Sequence, residues 1–296
     1  MIKKGVLLVS LTAIISGFSI FINKLGVNGI DSTIFTFLKN IIVSVFLIGI
    51  IIGLKESKSI LNLKRKDWFS LILIGLLGGS IPFVLFFKGL QLSSGALGSF
   101  MHKSMFVFVA IIASIFLKEK INKKIFIPAV FLLVGNFLIL NIRSFEFNTA
   151  ILFVFIATIF WAVENVVSKH LLKAIEPKIL AFGRLFFGSF FILAYMLVIG
   201  KVPFSLNFQQ FSWILITAPL LLLYVLTWYN GLKHVKVITA TSILLLGSPI
   251  TTLLSYIFLG SSISLMEVIG ILCTLSGIAC LILLSEKKYH LASSTA

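Results

Sequence analysis

Five ionisable side chains, Lys39, His102, Lys103, Glu164 and Arg184, sit deep inside long apolar runs. A charge in such surroundings costs a few kcal/mol or more unless it faces a cavity or a partner, so these residues are the default functional candidates. Thr36, Lys39, Asn40 and Ser44 recur at helical spacing and read as a polar stripe lining a wet space. Against that, the stem of Lys39 could carry its ammonium to a nearby interface, and Arg184 has the same two readings. Lys103 lies near the middle of its run, on a face with Ser99 and beside His102, too far from either end for such an escape. It is expected to face a cavity rather than serve a purely structural ion pair. His102 titrates in a range that suits a pH-sensitive step, but a neutral imidazole can equally hydrogen-bond a neighbouring helix.

Glu164 is the one acidic residue well inside an apolar run, sharing a helical face with Trp161 and Ser168, with Asn165 alongside. It could carry a proton, or neutralise Lys103 or Arg184, or form a permanent ion pair. Tyr224 and Trp228 stand one turn apart, with Pro219 about one turn before them; they could line an apolar substrate pocket or pack against lipid and other helices. Pro82 and Pro249 also interrupt apolar runs, which frees backbone carbonyls and permits bends. Gly75, Gly78 and Gly79 suggest close helix approach, and the stripe Ser248, Thr251, Thr252 and Ser255 suggests helix packing. The sequence has no G-x-x-x-x-G-K-[ST] loop, no metal-ligand spacing of His, Cys or Asp, and no G-x-S-x-G elbow. No cofactor or metal is expected, and the protein does not read as an enzyme.

These residues must be positioned by membrane helices. Of 296 residues, 59% are hydrophobic and 11% charged, with 30 Phe and a mean hydropathy of +1.15, which excludes a soluble globular protein. Long apolar runs punctuated by charge clusters, Gly and Pro place spans near 4–23, 33–53, 69–88, 93–116, 125–142, 149–169, 178–199, 211–231, 237–258 and 266–284. That makes ten spans and leaves no room for a soluble catalytic module. The longest polar connection runs from Leu54 to about Trp68. Cys273 and Cys280 are seven residues apart in one run, about 10 Å along a helix, too far for a disulfide. The N-terminus has the outline of a signal peptide without a convincing cleavage site.

The net charge of +16 would suggest a polyanionic partner in a soluble chain. Here it reads as topology. Eighteen basic residues fall in segments on the side of the N-terminus, four (Lys24, Lys88, Arg143 and Lys201) on the other side, and Lys39, Lys103 and Arg184 within spans. Both termini are therefore expected in the cytoplasm, with no nucleic-acid partner. Phe116-Leu117 with Ile121 matches Phe258-Leu259 with Ile263, Gly135 matches Gly277, Gly89-Leu90 matches Gly231-Leu232, and Asn23 matches Asn165, all at an offset of 142. Lys39 and Arg184 correspond at 145. The chain thus divides into five-helix halves, 1–143 and 144–285, with a short cytoplasmic tail at 286–296. An odd number of spans inverts the second half relative to the first, the arrangement of many secondary transporters.

With Trp161, Asn165 and Lys169 in the sixth span, Lys39 and Arg184 in the second and seventh, the Gly89 and Gly231 exits, the Ser248-Pro249 turn, and the IFLKEKI and IFLGSSI span ends, the sequence resembles the EamA-type carriers of the drug/metabolite transporter superfamily. The resemblance covers essentially the whole chain. It implies an all-α, ten-helix membrane protein of the inner membrane that exports small metabolites by a secondary mechanism. Where the first repeat has Lys118-Glu119 the second has Gly260-Ser261, so the resemblance assigns no role to that carboxylate.

The expected function is secondary active export of a small organic metabolite through alternating access, with proton coupling open as the energy source. Three basic residues against one acidic residue within the spans favour a carboxylate-bearing substrate such as an amino acid. A drug or cation exporter using Glu164 is the alternative, and a membrane-embedded enzyme ranks lower. The lipid bilayer and a small molecule are the expected partners, and either a monomer or a homodimer is compatible with ten spans.

Overall fold

A computed structural model describes residues 2–26, 29–92, 101–119, 126–140, 148–200, 206–260 and 262–293. Every regular element among them is a helix. In chain order these are α1 (Ile2–Gly26), α2 (Ser32–Gly53), α3 (Ser57–Leu61), α4 (Arg65–Ile74), α5 (Ile81–Leu92), α6 (Met105–Phe116), α7 (Phe126–Ile139), α8 (Thr149–Leu171), α9 (Pro177–Val198), α10 (Phe208–His234), α11 (Val237–Ile243), α12 (Gly247–Leu259) and α13 (Leu265–Ser293). A π-helical turn, Gly75–Ser80, joins α4 to α5, and a 3-10 turn, Leu244–Leu246, joins α11 to α12. Seven helical stretches are long and apolar enough to cross a membrane, among them Arg65–Phe86 and Val237–Leu259. Met101–Phe116, Ile127–Ile139 and Leu265–Leu281 are shorter apolar helices. The protein is an all-α integral membrane protein.

Local signals start the helices where the polar connections end. Asp31 accepts hydrogen bonds from the amides of Thr33 and Ile34, Asn148 from Ile151, and Asn207 forms a reciprocal box with Gln210. Pro177 opens α9, where its missing N–H costs nothing. Two details differ from the sequence reading. The polar connection after Leu54 holds the short helix α3, and the last helix continues to Ser293 because no Gly or Pro stops it. Ser99, Ile121, Arg143 and Lys201, and the start expected at 93, lie outside the described residues.

The apolar residues do two jobs. Phe46, Phe69, Ile115, Phe190, Val198 and Leu272 project outward, as a lipid-facing surface requires, while polar residues such as Asn40, Thr158, Glu164, Asn165 and Ser189 are enclosed. The most extensive helix contacts join the first half of the chain to the second: α1 with α10, α2 with α9, α5 with α8, and α7 with α13. Glycine makes several of these approaches possible. Gly5 meets Gly231, Gly135 meets Gly270, and Gly79 meets Gly188 so closely that a Cβ on Gly188 would lie 2.6 Å from the Gly79 carbonyl oxygen.

Candidate functional site

The π turn at Gly75–Ser80 creates the first part of the site. Pro82 has no N–H to offer the carbonyl four residues earlier, that of Gly78, so this oxygen is open to side chains. Trp161 Nε1 donates to it at 3.1 Å and Arg184 Nη2 at 3.3 Å. The neighbouring Gly79 carbonyl accepts from Asn40 Nδ2 at 3.3 Å. No side chain fits at Gly78, where a Cβ would collide with Glu164 and approach Arg184. Four expected site residues, from α2, α8 and α9, thus converge on one distorted stretch of backbone.

Glu164 and Arg184 meet beside it. The carboxylate is fully enclosed: Oε1 accepts from Ser168 at 2.6 Å and from the Tyr229 hydroxyl at 2.7 Å, while Oε2 lies 3.7 Å from Arg184 Nη1 without a hydrogen bond. Arg184 Nη1 also donates to Tyr229 Oη at 3.2 Å. Of the two cations considered for Glu164, it is therefore Arg184 that pairs with it. Asn165, one residue on, donates to the Trp161 carbonyl at 2.8 Å and accepts from Trp228 Nε1 at 3.1 Å. Tyr224 stacks on Trp228 at 6.3 Å between centroids. The sequence marks Gly78 through its glycine run for close helix approach but not as a free carbonyl, and it does not mark Tyr229. The signal for that carbonyl is the Pro82 spacing, whereas Tyr229 in an apolar span looks like any packing aromatic.

Of the remaining candidates, His102 packs against the cluster, while Lys39 and Lys103 make no hydrogen bond or ion pair to it. Lys39 is buried at 7% exposure; its ammonium lies 3.4 Å from Asn23 Oδ1 and 4.7 Å from the centre of the Phe35 ring. His102 stands edge-on to Trp161 at 4.8 Å and near Phe86 at 5.1 Å. Lys103 is half-buried and makes no hydrogen bond or ion pair to any described residue. Its Nζ lies 3.5 Å from where a Cβ on Gly247 would stand.

Lys103 thus sits where two interrupted helices meet. Helical structure breaks at Ser104, immediately before α6, and at Leu244–Leu246, immediately before α12; Ser104 and Leu246 are related by the offset of 142. The Met101 carbonyl, released by the first break, accepts from the hydroxyl of Ser104 at 2.7 Å and from that of Thr158 at 3.5 Å. Beyond the second, Thr251 Oγ1 donates to the Gly17 carbonyl at 3.0 Å, tying α12 to α1 as a packing stripe would. Among the described residues no three His, Cys, Asp or Glu side chains gather into a metal site.

The model of the EamA-like transporter family matches residues 3–141 and again 148–283. The chain belongs to that family. It is 25% identical over 254 residues to an uncharacterized transporter of Clostridium kluyveri, covering 79% of each chain. It is 26% identical over 236 residues to the uncharacterized transporter YyaM of Bacillus subtilis, covering 76% of this chain and 75% of that one. A crystal structure with 17% sequence identity superposes with a TM-score of 0.80 over 97% of this chain and 99% of the other, which speaks to the fold alone. For an EamA-like transporter, the buried polar residues described above are where a translocation pathway would be sought.

Proposed function

We propose that this EamA-like transporter is a secondary active exporter of a small organic metabolite bearing a carboxylate, an amino acid or a close relative, working by alternating access in the cell membrane with both termini in the cytoplasm. The observation that carries the substrate class is the Lys103 ammonium. Arg184 is paired with Glu164 and Lys39 is held by Asn23 and Phe35, whereas Lys103, beside the paired helix breaks, has no hydrogen-bond or ion-pair partner among the described residues. Interrupted helices at corresponding positions of two inverted halves are a recurring setting for transporter substrate sites, and a carboxylate is the group that an unpaired ammonium there would recruit.

The test compares metabolites in medium and cytosol from cells overproducing the wild type or Lys103→Gln, alongside cells lacking the protein. The wild type should raise the external pool of a carboxylate-bearing metabolite, and Lys103→Gln should lower that export at least tenfold at equal membrane abundance, as expected for losing a charge-assisted contact. Undiminished carboxylate export by a well-folded Lys103→Gln protein would refute this assignment.

A second reading takes Glu164 as a cation or proton site, and the unbonded Oε2 favours it. Competition between a cationic substrate and protons that disappears in Glu164→Gln would select that reading.

A further inference from the structure

Among the described helices, α11 stands out because all seven of its residues, Val237–Ile243, are buried. At its far end lies the 3-10 turn Leu244–Leu246, followed by Pro249, which removes the amide that would otherwise bond the Leu245 carbonyl. That end is a natural place for a bend. At its near end, only Val235 and Lys236 separate it from α10. Two residues from elsewhere in the chain close on this turn. Lys169, near the end of α8, donates to the carbonyls of Leu232 at 2.7 Å and Lys233 at 3.2 Å, in the last turn of α10. Glu119, beyond the end of α6, accepts from the amide of Val237 at 3.3 Å, in the first turn of α11. A cation on terminal carbonyls and an anion on a leading amide are the favourable pairings for helix ends.

Glu119 is delivered by its own backbone. Lys118 adopts a left-handed conformation (φ 53°), which turns the Glu119 amide back to the Ala113 carbonyl at 3.2 Å and aims the side chain across the bundle. The contact is finely balanced. Burial raises the Glu119 carboxyl above the ordinary carboxylate range, while the Val237 amide and the charges of Lys236 and Lys169 pull it back. One carboxylate oxygen, Oε2, is buried without a hydrogen bond.

We infer that α11 is a gate at this end of the pathway, hinged at Leu244–Leu246 and latched by Glu119 and Lys169. The latch holds the α10–α11 turn against the ends of α6 and α8, and its release lets α11 swing from the bundle. That this end faces the cytoplasm rests on the orientation proposed above.

The experiment reads conformation without needing a substrate. In a full-length protein carrying Cys273→Ser and Cys280→Ser, Thr241→Cys places a reporter on the buried helix, and a membrane-impermeant maleimide is applied either to intact cells or to inside-out vesicles. Labelling of the otherwise unaltered reporter protein should be slow. Glu119→Leu or Lys169→Met should raise the rate about tenfold from the vesicle side, as expected for losing one charge-assisted hydrogen bond. Lys169→Arg should return it towards the starting rate, and the double variant should exceed the larger single by little, because both arms hold one turn. Glu119→Gln, which keeps an oxygen for Val237, serves where Glu119→Leu fails to fold, with a smaller rise expected. Unchanged labelling in folded single variants, or an equal rise from both faces, overturns the gate. A rise confined to intact cells supports the latch and overturns the orientation, which separates this inference from the proposed function.

Discussion

Two buried cations at corresponding positions in the two halves are held in different ways. In the first half Lys39 of α2 is met by an amide oxygen, that of Asn23 on α1. In the second half Arg184 of α9 is met by a carboxylate, that of Glu164 on α8, in a network that takes in Tyr229, Ser168 and the Gly78 carbonyl. The counterpart of Glu164 at the offset of 142 is Ile22, and that of Asn165 is Asn23. Among the described residues, Lys39 therefore has no counter-charge, while Arg184 is held in an ion pair braced by hydrogen bonds. A single residue, Glu164 where the first half has Ile22, decides whether the buried cation meets a counter-charge.

Removing the oxygen from each pair should separate the two halves most strongly. Glu164→Ala leaves the enclosed Arg184 without its counter-charge, and Tyr229 and Ser168 without their acceptor. A loss of about 3–5 kcal/mol is expected for an orphaned buried charge. Asn23→Ala removes one long contact to an ammonium that still lies over Phe35, and should cost about 1 kcal/mol. Thermal unfolding in detergent, followed by size-exclusion chromatography, measures both. Equal losses would show that the two cations are equivalent despite their different partners.

The ionisable candidates could be picked out of the sequence because a charge in an apolar run has few innocent explanations. The partner of Glu164 could not, since Lys103 and Arg184 are both basic and only the convergence of α8 and α9 on the π turn decides between them. The glycines at 75, 78 and 79 gave the close approach correctly, with Gly79 against Gly188. They did not reveal the π turn, because glycines that permit contact and glycines that free a carbonyl read alike until the side chains donating to that carbonyl are placed. Glu119 is not marked by the repeat because its counterpart in the second half is Ser261. Its contacts to Val237 and to the neighbourhood of Lys169 depend on a carboxylate that the second half lacks at that position, so comparison of repeats hides it.

The same asymmetry reaches the backbone. At the offset of 145, Gly188 of α9 corresponds to Val43 of α2, and it is the backbone of α9 that presses directly on Gly79. A Cβ at 188 would stand 2.7 Å from the Gly79 Cα, where no flexible side chain can give way. Gly188→Ala is expected to cost about 1–3 kcal/mol by overpacking and to loosen the contact of Arg184 with the Gly78 carbonyl. Gly49→Ala, at a helical position with nothing within 4 Å, is the control and should stabilise by up to about 1 kcal/mol. The same unfolding assay compares them, and a neutral Gly188→Ala would mean that the α9 approach to the π turn is not tight.

The smallest expected effect tests whether the halves share local geometry where their residues differ. Lys118 and Gly260, related by the offset of 142, both adopt left-handed backbone, with φ of 53° and 63°. For an L-residue that conformation costs about 1–2 kcal/mol, which glycine avoids. Glycine gives back part of the gain through the greater freedom of its unfolded chain. Lys118→Gly should therefore stabilise by about 0.5 kcal/mol, and Gly260→Lys should destabilise by about 1 kcal/mol. The first change also removes a charge beside Glu119, so the slow labelling of the Thr241→Cys reporter should be followed in parallel. If the left-handed turn alone aims Glu119 at Val237, glycine will preserve it and the labelling rate will not change. Faster labelling despite a higher melting temperature would mean that the lysine side chain itself helps to hold the latch.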